Sequence, residues 1–509
     1  MRCINKLCAA GWLTMAIPFL TPAVMAQSPT KSFEEFRSSL KKDYKDFRKG
    51  ILADYDKFLE GIWQDFEAFK GEQRDTMPKP KTAPVADPLS IPKVDPTLKP
   101  KRPKKETPVS QPEVKPQPKP KPKPQPKPTP QPKPQPQPKP APSPADNFEF
   151  EFFGIPTKGP QPQITLLPCN GRGDFAEQWR DLSKSLHTPA LIKSLKETAE
   201  RYALNDYLTY ELVAAYVGTA YSSSTQHARH ALAHYLLANM GYDVRVAMTG
   251  DDSAVLLMAL DEMVYRRPYL TIDNTKYHVF ELGQTDGAQT PFGSISTCSL
   301  PADADKGKRF GLIITDLNLP ENPVPFSLSG CGLKVEGTTN GNIKEMLYRY
   351  PQMPMGDYAR STVLSPVRQQ IVEQLRNQLD SIDGREAANR LLQFVQEITD
   401  YATDGAFHGF EKPYFMEEML IYPKSDCEDR AITYTYLLTN VLGLENQLIA
   451  YPGHESASVC LDDEQNGDSY EYEGKRFYIS DPTYIGSVTG MCMPEYKDVM
   501  PTVDFHAKP

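Results

Sequence analysis

The 509-residue sequence predicts an α+β fold for the region after residue 145. Near the C-terminus, an apolar stretch with helical spacing at 431–441 precedes two strand patterns, at 453–459 and 476–480. An earlier region repeats a similar order of helix and strand patterns. Between the two regions, residues 281–345 are rich in Gly, Asp and Pro, which is typical of strands joined by long loops.

The first 26 residues have the pattern of a secretory signal peptide. Arg2 and Lys6 form a short basic region, residues 7–20 are almost wholly apolar, and small residues end at Ala26. We therefore expect an exported protein, periplasmic or associated with the cell envelope, with the signal peptide cleaved after Ala26. The alternative is an uncleaved membrane anchor, because the apolar stretch reaches the ~20 residues that a membrane span needs.

Residues 31–71 place an apolar side chain at steps of three, four and four, which makes an 11-residue repeat. The repeat predicts a long amphipathic helix over residues 31–75, straight or slightly right-handed. Because its apolar stripe is narrow, this helix needs a surface that buries the stripe. We expect self-association, as in a coiled coil, or a partner in the cell envelope; docking on the C-terminal domain is a third alternative. The stripe consists of Phe33, Phe36, Leu40, Tyr44, Phe47, Ile51, Tyr55, Phe58, Ile62, Phe66 and Phe69.

Residues 78–145 are mostly Pro alternating with Lys or Gln. Such a stretch forms neither helix nor sheet and favours the polyproline II conformation. The sequence therefore predicts a disordered, stiff and basic linker. It either contacts anionic polymers of the envelope or is a solvated tether without a partner.

Cys427, His454 and Asp481 follow one another at equal steps of 27 residues. A thiol nucleophile needs a base that takes its proton, and that base needs an acceptor that fixes its tautomer. The predicted helix places the sulfur in its first turn, where the helix dipole lowers a thiol pKa, although the acidic residues on either side oppose this effect. We predict Cys427 as nucleophile, His454 as general base and Asp481 as the residue that orients His454. The alternative is a small buried Cys beside two ordinary turns.

Residues 360–495 resemble the transglutaminase-like superfamily, which uses Cys, His and Asp in this chain order. The matching motifs are Ser425-Asp-Cys427-Glu-Asp429 at a helix start, Gly453-His454 opening a strand, and Asp481-Pro482 closing the next strand. The resemblance implies a papain-like core at the C-terminus. One position departs from the family pattern: an aromatic residue is common two residues after the His, and this chain has Ser456.

The resemblance implies a cysteine hydrolase, a protease or amidase that cleaves an amide bond of a peptide or glycopeptide through a thioester. The backbone N–H of Cys427 would be one oxyanion donor, with Tyr422 a candidate for the second. Two alternatives stay open. The first is a protein-crosslinking acyltransferase, and the second is a non-enzymatic envelope adaptor on the same scaffold.

The folded region divides into two predicted domains, 146–345 and 346–509, whose helix and tyrosine patterns recur at an offset of 201 residues. The first domain is either a degenerate copy of the second or similar to it by chance. In a degenerate copy, the triad positions fall on Gln226, on Asp252 or Ser253, and on Phe280. None of these combinations supplies a nucleophile with a base, so such a copy would be catalytically inactive.

The sequence predicts no cofactor, metal or nucleic-acid partner. It has neither a phosphate-binding Gly-Lys loop nor a dinucleotide-binding motif, and basic residues do not cluster in the folded region. The three histidines of residues 227–234 share a helix face, but no Glu follows His230, so we expect a structural or surface role for them. Cys298 and Cys331 form the one disulfide pairing considered.

Overall fold

The computed structural model describes residues 63–73, 79–95, 147–283, 294–297 and 307–509. The predicted signal peptide, most of the predicted N-terminal helix and most of the Pro-rich linker lie outside these residues. The described residues form helices and sheets, which confirms the α+β prediction.

Ten α-helices lie within the described residues. They are α1 (Arg172–Lys184), α2 (Thr188–Arg201), α3 (Asp206–Ala220), α4 (Gln226–Met240), α5 (Ile343–Tyr348), α6 (Met355–Arg360), α7 (Ser365–Leu379), α8 (Gly384–Glu397), α9 (Asp404–Phe407) and α10 (Cys427–Leu442). None of the helices in the described part of the chain has the length and apolar character that a membrane span requires.

The strands of the first half are β1 (Gln64–Glu67), β2 (Phe148–Phe152), β3 (Ile155–Gly159), β4 (Val244–Thr249), β5 (Ala254–Ala259), β6 (Tyr269–Ile272), β7 (Thr275–Phe280) and β8 (Ser294–Thr297). Those of the second half are β9 (Pro323–Gly330), β10 (Leu333–Asn340), β11 (Asp400–Tyr401), β12 (Lys424–Ser425), β13 (Asn446–Tyr451), β14 (His454–Cys460), β15 (Ser469–Tyr472), β16 (Lys475–Ile479) and β17 (Thr502–Ala507).

Two antiparallel sheets have the same strand order. The first runs β8-β4-β5-β7-β6, with β1 added beside β8, and the second runs β17-β13-β14-β16-β15. In each half, the helix directly before the sheet, α4 or α10, packs on it. Each of these helices ends at a glycine with positive φ, Gly241 at 101° and Gly443 at 66°, a conformation in which a Cβ atom is disfavoured. The same helix and five-stranded sheet therefore occur twice in the chain.

One hydrophobic core joins the two halves. It contains Tyr207 and Leu256 of the first half and Ile432 and Leu448 of the second, all almost fully buried. Full burial of one such side chain contributes roughly 1.5–3 kcal/mol. All described residues belong to one compact unit. The predicted domain boundary at residue 345 stays a prediction.

The C-terminal end of the predicted N-terminal helix is a strand. The helix prediction for residues 31–75 is therefore wrong for the described residues 63–73. β1 pairs antiparallel with β8, and Phe69 makes an isolated bridge to Tyr269. Phe66 and Ala68, two residues apart, pack against the same apolar cluster, as the alternation of a strand requires. Pairing with the edge strand β8 leaves Phe66 half-buried and Phe69 47% exposed. Residues 31–62 lie outside the described part.

The start of the predicted disordered linker is docked on the C-terminal half, so the linker prediction is wrong for residues 79–95. Ala86 is 6% exposed, its N–H donates to the carbonyl of Ile485, and the N–H of Ile485 donates to the carbonyl of Pro84. Asp95 and Gln465 exchange two hydrogen bonds of 2.8 Å. Proline lacks an N–H but keeps its carbonyl, so a Pro-rich chain can bind through the acceptors it retains. We call residues 79–95 the strap.

Candidate functional site

Cys427 is the first residue of α10, as the sequence predicts, and its side chain is 1% exposed. The N–H of Asp426 donates to Oδ2 of Asp429 (3.0 Å), which closes the turn that starts the helix. The hydroxyl group of Tyr434, two turns further along, hydrogen-bonds Oγ of Ser480 (2.8 Å). This contact ties the helix that Cys427 begins to the residue that precedes Asp481.

His454 opens β14 after a tight turn at Gly453, and its Nε2 lies 2.7 Å from Oδ2 of Asp481. The other carboxylate oxygen of Asp481 accepts the backbone N–H groups of Thr483 (2.8 Å) and Tyr484 (3.3 Å). With Nε2 donating to Asp481, the lone pair of Nδ1 is left to accept a proton. His454 Nδ1 is buried and, among the described residues, has no hydrogen-bond partner.

A cavity of about 470 Å³ is lined by both Cys427 and His454. The thiol does not bond the imidazole there; Cys427 Sγ donates to Oε2 of Glu428 at 3.0 Å. The structure thus brings His454 and Asp481 into direct contact and places Cys427 on the same cavity wall. To reach His454, the thiol must break its hydrogen bond with Glu428.

The surroundings of Cys427 favour the neutral thiol. Burial raises the pKa of Cys427 well above its usual value, and the charges of Glu428 and Asp426 raise it further, while Lys79 lowers it. The thiol-activating effect expected of the helix start is therefore outweighed by desolvation and by the two adjacent carboxylates.

Lys79 of the strap inserts its ammonium group among carboxylates beside Cys427. Its Nζ lies 2.6 Å from Glu411 Oε1 and 2.9 Å from Asp426 Oδ2, hydrogen-bonds Oε1 of Glu428, and is 3.8 Å from Asp404 Oδ2. The Lys79 side chain is 14% exposed, and those of Asp426 and Glu428 are fully buried. We call Asp404, Glu411, Asp426 and Glu428 the acidic pocket.

Burial and mutual repulsion raise the pKa values of Asp404, Glu411 and Asp426. Burial, followed by the charge of Glu428, raises the pKa of Asp404 to about 7. The pKa of Asp426 also lies well above its usual value for the same two reasons, and Lys79 opposes the shift in both residues. Burial lowers the pKa of Lys79, but the charges of Glu428 and Asp426 outweigh it and hold that pKa well above its usual value. The carboxyl groups of the pocket therefore depend on a nearby cation to stay ionised.

Groups in the acidic pocket and directly beside it are spaced closely enough to ligate a metal ion. The triplets are Asp404 with Glu411 and Glu428, Asp404 with Asp426 and Asp429, and Asp426 with Cys427 and Glu428. The ammonium group of Lys79 lies among the same oxygen atoms. Among the described residues, the ammonium group of Lys79 is thus the cation that contacts these acidic groups.

Tyr422 and Ser456, the two positions that the sequence singles out around the candidate nucleophile, do not supply the aromatic ring beside His454. Tyr422, the candidate second oxyanion donor, lies in an aromatic cluster with His408 and Tyr414 and does not line the cavity that contains Cys427. At Ser456, the family's aromatic position, the side chain is fully buried. The ring that covers His454 comes from Tyr496, stacked at 5.5 Å with an interplanar angle of 5°. Sequence reasoning missed this residue.

The paired strands define the equivalent positions in the first half. Gln226 starts α4 as Cys427 starts α10, and Ser253 pairs with Thr249 across its hairpin as His454 pairs with Tyr451. The strand pairing places Val279 of β7 at the position of Ile479 in β16, so Glu281 is the residue equivalent to Asp481. The prediction of Phe280 is therefore wrong by one residue, because the register of the strands shifts the offset from 201 to 200.

The first-half positions lack the chemistry of the second half. Gln226 Nε2 donates to the carbonyl of Ala254 (2.8 Å) and its Oε1 accepts the N–H of Ala254 (3.0 Å), so the amide ties α4 to β5. Gln226, Ser253 and Glu281 include no imidazole that could serve as a base.

His230 and His234 are buried, and Cys331 has a hydrogen-bond partner. His230 and His234 are 2% and 3% exposed, and burial lowers their pKa values to about 4 and about 3. Cys331 donates its thiol to Gln393 (2.8 Å), while Cys298 lies outside the described residues, so their pairing stays a prediction.

No protein-family model, curated protein or solved structure matches this chain. The function must therefore be inferred from the chemistry of the site itself.

Proposed function

We propose that the chain is an exported cysteine hydrolase of the transglutaminase-like type, which cleaves an amide bond of a peptide or glycopeptide. One observation carries the proposal. His454 donates through Nε2 to Asp481, and its unpartnered Nδ1 shares a cavity with the thiol of Cys427 at the start of a buried helix.

The reaction uses each residue for one task. The thiol of Cys427 transfers its proton to Nδ1 of His454, and the sulfur attacks the carbonyl carbon of the amide. The backbone N–H of Cys427, in the first helical turn, has no intrahelical acceptor and is oriented to stabilise the developing oxyanion. His454 then protonates the leaving amine, which leaves a thioester on Cys427. Water, deprotonated by His454, hydrolyses the thioester, and Asp481 holds the imidazole in the required tautomer throughout.

The hydrogen bond between Cys427 and Glu428 must break before this reaction starts. The thiol has to leave Glu428 and turn towards His454, because the general base must lie within hydrogen-bond reach of the proton it takes. Tyr496 stacked on His454 limits the movement of the ring, so the thiol is the group that moves.

A second candidate function is a non-enzymatic adaptor that binds a peptide or glycan in the same cleft. The observation in its favour is the neutral thiol: Cys427 donates to a carboxylate, and its surroundings raise its pKa. Binding alone has no need of a thiolate. A pH profile of Cys427 reactivity separates the candidates, since an enzyme requires a thiolate that depends on His454.

The test is covalent trapping with a thiol-reactive acyl probe, followed by peptide mass analysis of every cysteine. We expect an adduct on Cys427 in the wild-type chain and in Lys79→Met, and none in Cys427→Ala. Cys460→Ala, a half-buried cysteine away from the cavity, is the matched control and should label as the wild type does. Unchanged total labelling in Cys427→Ala would overturn the proposal.

A further inference from the structure

The acidic pocket has more carboxyl groups than its occupant can neutralise when all of them are ionised. Four carboxylates surround the single ammonium group of Lys79. Asp426 Oδ1 is buried and, among the described residues, has no hydrogen-bond partner. In its ionised form such a cluster is unstable without a cation, because an uncompensated buried charge is costly.

The arrangement of the oxygen atoms suits a primary ammonium group. An ammonium group has three N–H donors around one nitrogen, and Lys79 directs them to Glu411, Asp426 and Glu428. A guanidinium group has a planar fork that fits two parallel acceptors of one carboxylate instead. A lysine-type side chain is thus the ligand that the pocket fits.

The pocket is coupled to the nucleophile through Glu428. One of its carboxylate oxygens accepts from Lys79 Nζ and the other from the thiol of Cys427. A cation in the pocket offsets the negative charge that keeps the thiol neutral; Lys79 lowers the pKa of Cys427. An ammonium group on the substrate would therefore help to activate the thiol that attacks it.

The strap is the segment of the chain that places Lys79 in the acidic pocket. The hydroxyl group of Tyr401 donates to the carbonyl of Pro80 (2.8 Å), immediately after Lys79. Residues 84–86 continue along Ile485, and residue 95 meets Gln465. The strap therefore lies across the C-terminal half with one lysine in the pocket. Further Pro-Lys-Pro triplets occur between residues 118 and 140 of the sequence.

We propose that the acidic pocket is the subsite for a lysine-type ammonium group of the substrate, and that Lys79 occupies it until the substrate displaces the strap. This proposal rests on the proposed hydrolase function and specifies its substrate class: a peptide or glycopeptide that carries a primary amine close to the bond that is cleaved. The strap is then a built-in competitor for the substrate.

Equilibrium binding of acetyl-Pro-Lys-Pro-amide tests the proposal without a catalytic step. Titration calorimetry would use the full mature chain as Lys79→Met, wild type and Lys81→Met; Lys81 is an exposed lysine two residues away and serves as the matched control. We expect the peptide to bind Lys79→Met at least about tenfold more tightly than the other two, because a tethered lysine competes at an effective concentration in the millimolar range. The same peptide with norleucine in place of lysine should not bind.

Two further variants locate the site. Glu428→Gln in the Lys79→Met background should lose the binding, and Cys427→Ala in that background should keep it. Equal binding of the norleucine peptide, no binding to a folded Lys79→Met chain, or full binding by the Glu428→Gln variant would each overturn the proposal. If lysine-dependent binding holds but acyl probes never label Cys427, the hydrolase proposal fails while the subsite stands. If acyl probes label Cys427 but no lysine-dependent binding is measured, the subsite fails while the hydrolase proposal stands.

Discussion

Nζ of Lys79 lies 2.9 Å from Oδ2 of Asp426, the residue directly before Cys427. The same nitrogen hydrogen-bonds Glu428, the residue directly after it. A lysine from a Pro-rich segment thus contacts both neighbours of the candidate nucleophile. Its removal should change the stability of the fold and the reactivity of the thiol in directions that the charges determine.

Lys79→Met should destabilise the chain more at high pH than at low pH. Lys79 lowers the pKa values of Asp404, Asp426 and Glu411, so its removal raises the folded-state pKa values further above those of the unfolded chain. Carboxyl groups with raised folded pKa values favour the fold below about pH 4 and lose that contribution as pH rises. We expect a loss of about 2–4 kcal/mol at pH 8 and a much smaller loss at pH 4, measured by urea unfolding.

Lys81→Met is the control for this experiment, because Lys81 is exposed in the same strap. It should change the free energy of unfolding by less than about 0.5 kcal/mol at either pH. Equal effects of the two substitutions at pH 8 would contradict the electrostatic role assigned to Lys79.

The free energy of unfolding of Asp404→Asn should increase, relative to that of the wild type, as pH rises from 4 to 8. The pKa of Asp404 is raised to about 7, first by burial and then by Glu428, so the folded chain holds a proton that the unfolded chain releases near pH 4. That contribution to stability is present below pH 4 and is lost as pH rises through about 7, whereas Asn does not titrate.

Unfolding of both proteins across this pH range measures the difference. Asp400→Asn controls for the loss of an acidic group at an exposed site. A difference between Asp404→Asn and the wild type that stays constant from pH 4 to pH 8 would show that Asp404 ionises normally.

Glu428→Gln should make Cys427 more reactive. The charge of Glu428 and its hydrogen bond with the thiol both raise the pKa of Cys427, so a neutral amide should lower that pKa and increase the thiolate fraction at pH 7. The rate of iodoacetamide alkylation at Cys427, read by peptide mass, measures the effect. Alkylation of Cys460 in the same sample is the internal reference, and a slower or unchanged rate at Cys427 would contradict the assignment.

Gln226→Ala should destabilise the fold by about 1–3 kcal/mol, since it leaves the buried N–H and carbonyl of Ala254 without their partners. Gln374→Ala, which removes an exposed pair of side chain to backbone hydrogen bonds, should cost less than about 1 kcal/mol. Thermal unfolding compares the two. A loss no greater than that of Gln374→Ala would show that Gln226 is not the link between α4 and β5.

Local patterns in the sequence predicted the elements that carry the candidate triad. Cys427 begins a helix and His454 begins a strand because the apolar spacing and the turn at Gly453 act within a few residues. The prediction of Phe280 failed by one residue because constant counting ignores differences in loop length. In the first half, 17 residues lie between the paired residues Ala259 and Tyr277, whereas 16 lie between their second-half counterparts Cys460 and Phe477.

Two features could not be predicted because distant partners determine them. Lys79 and Asp426 are separated by 347 positions, and the local sequence of Lys79 is the same Pro-Lys-Pro triplet found elsewhere in the linker. Phe66 and Phe69 continue a helical spacing, yet pairing with β8 and the contact with Tyr269 place them in extended chain. Tertiary context outweighs the local pattern at both sites.

The central claim is that Cys427, His454 and Asp481 act as a unit. The most direct test is the rate at which an activated acyl ester acylates Cys427 in wild type, His454→Gln, Asp481→Asn and the double variant. Each measurement is repeated in the Lys79→Met background, in which the lysine of the strap no longer occupies the acidic pocket. If the three residues act as a unit, His454→Gln lowers the rate by about 10²–10⁴-fold, and the double variant is no slower than His454→Gln alone. Rates that are unchanged in His454→Gln, or an acyl group spread evenly over all the cysteines, would contradict the account.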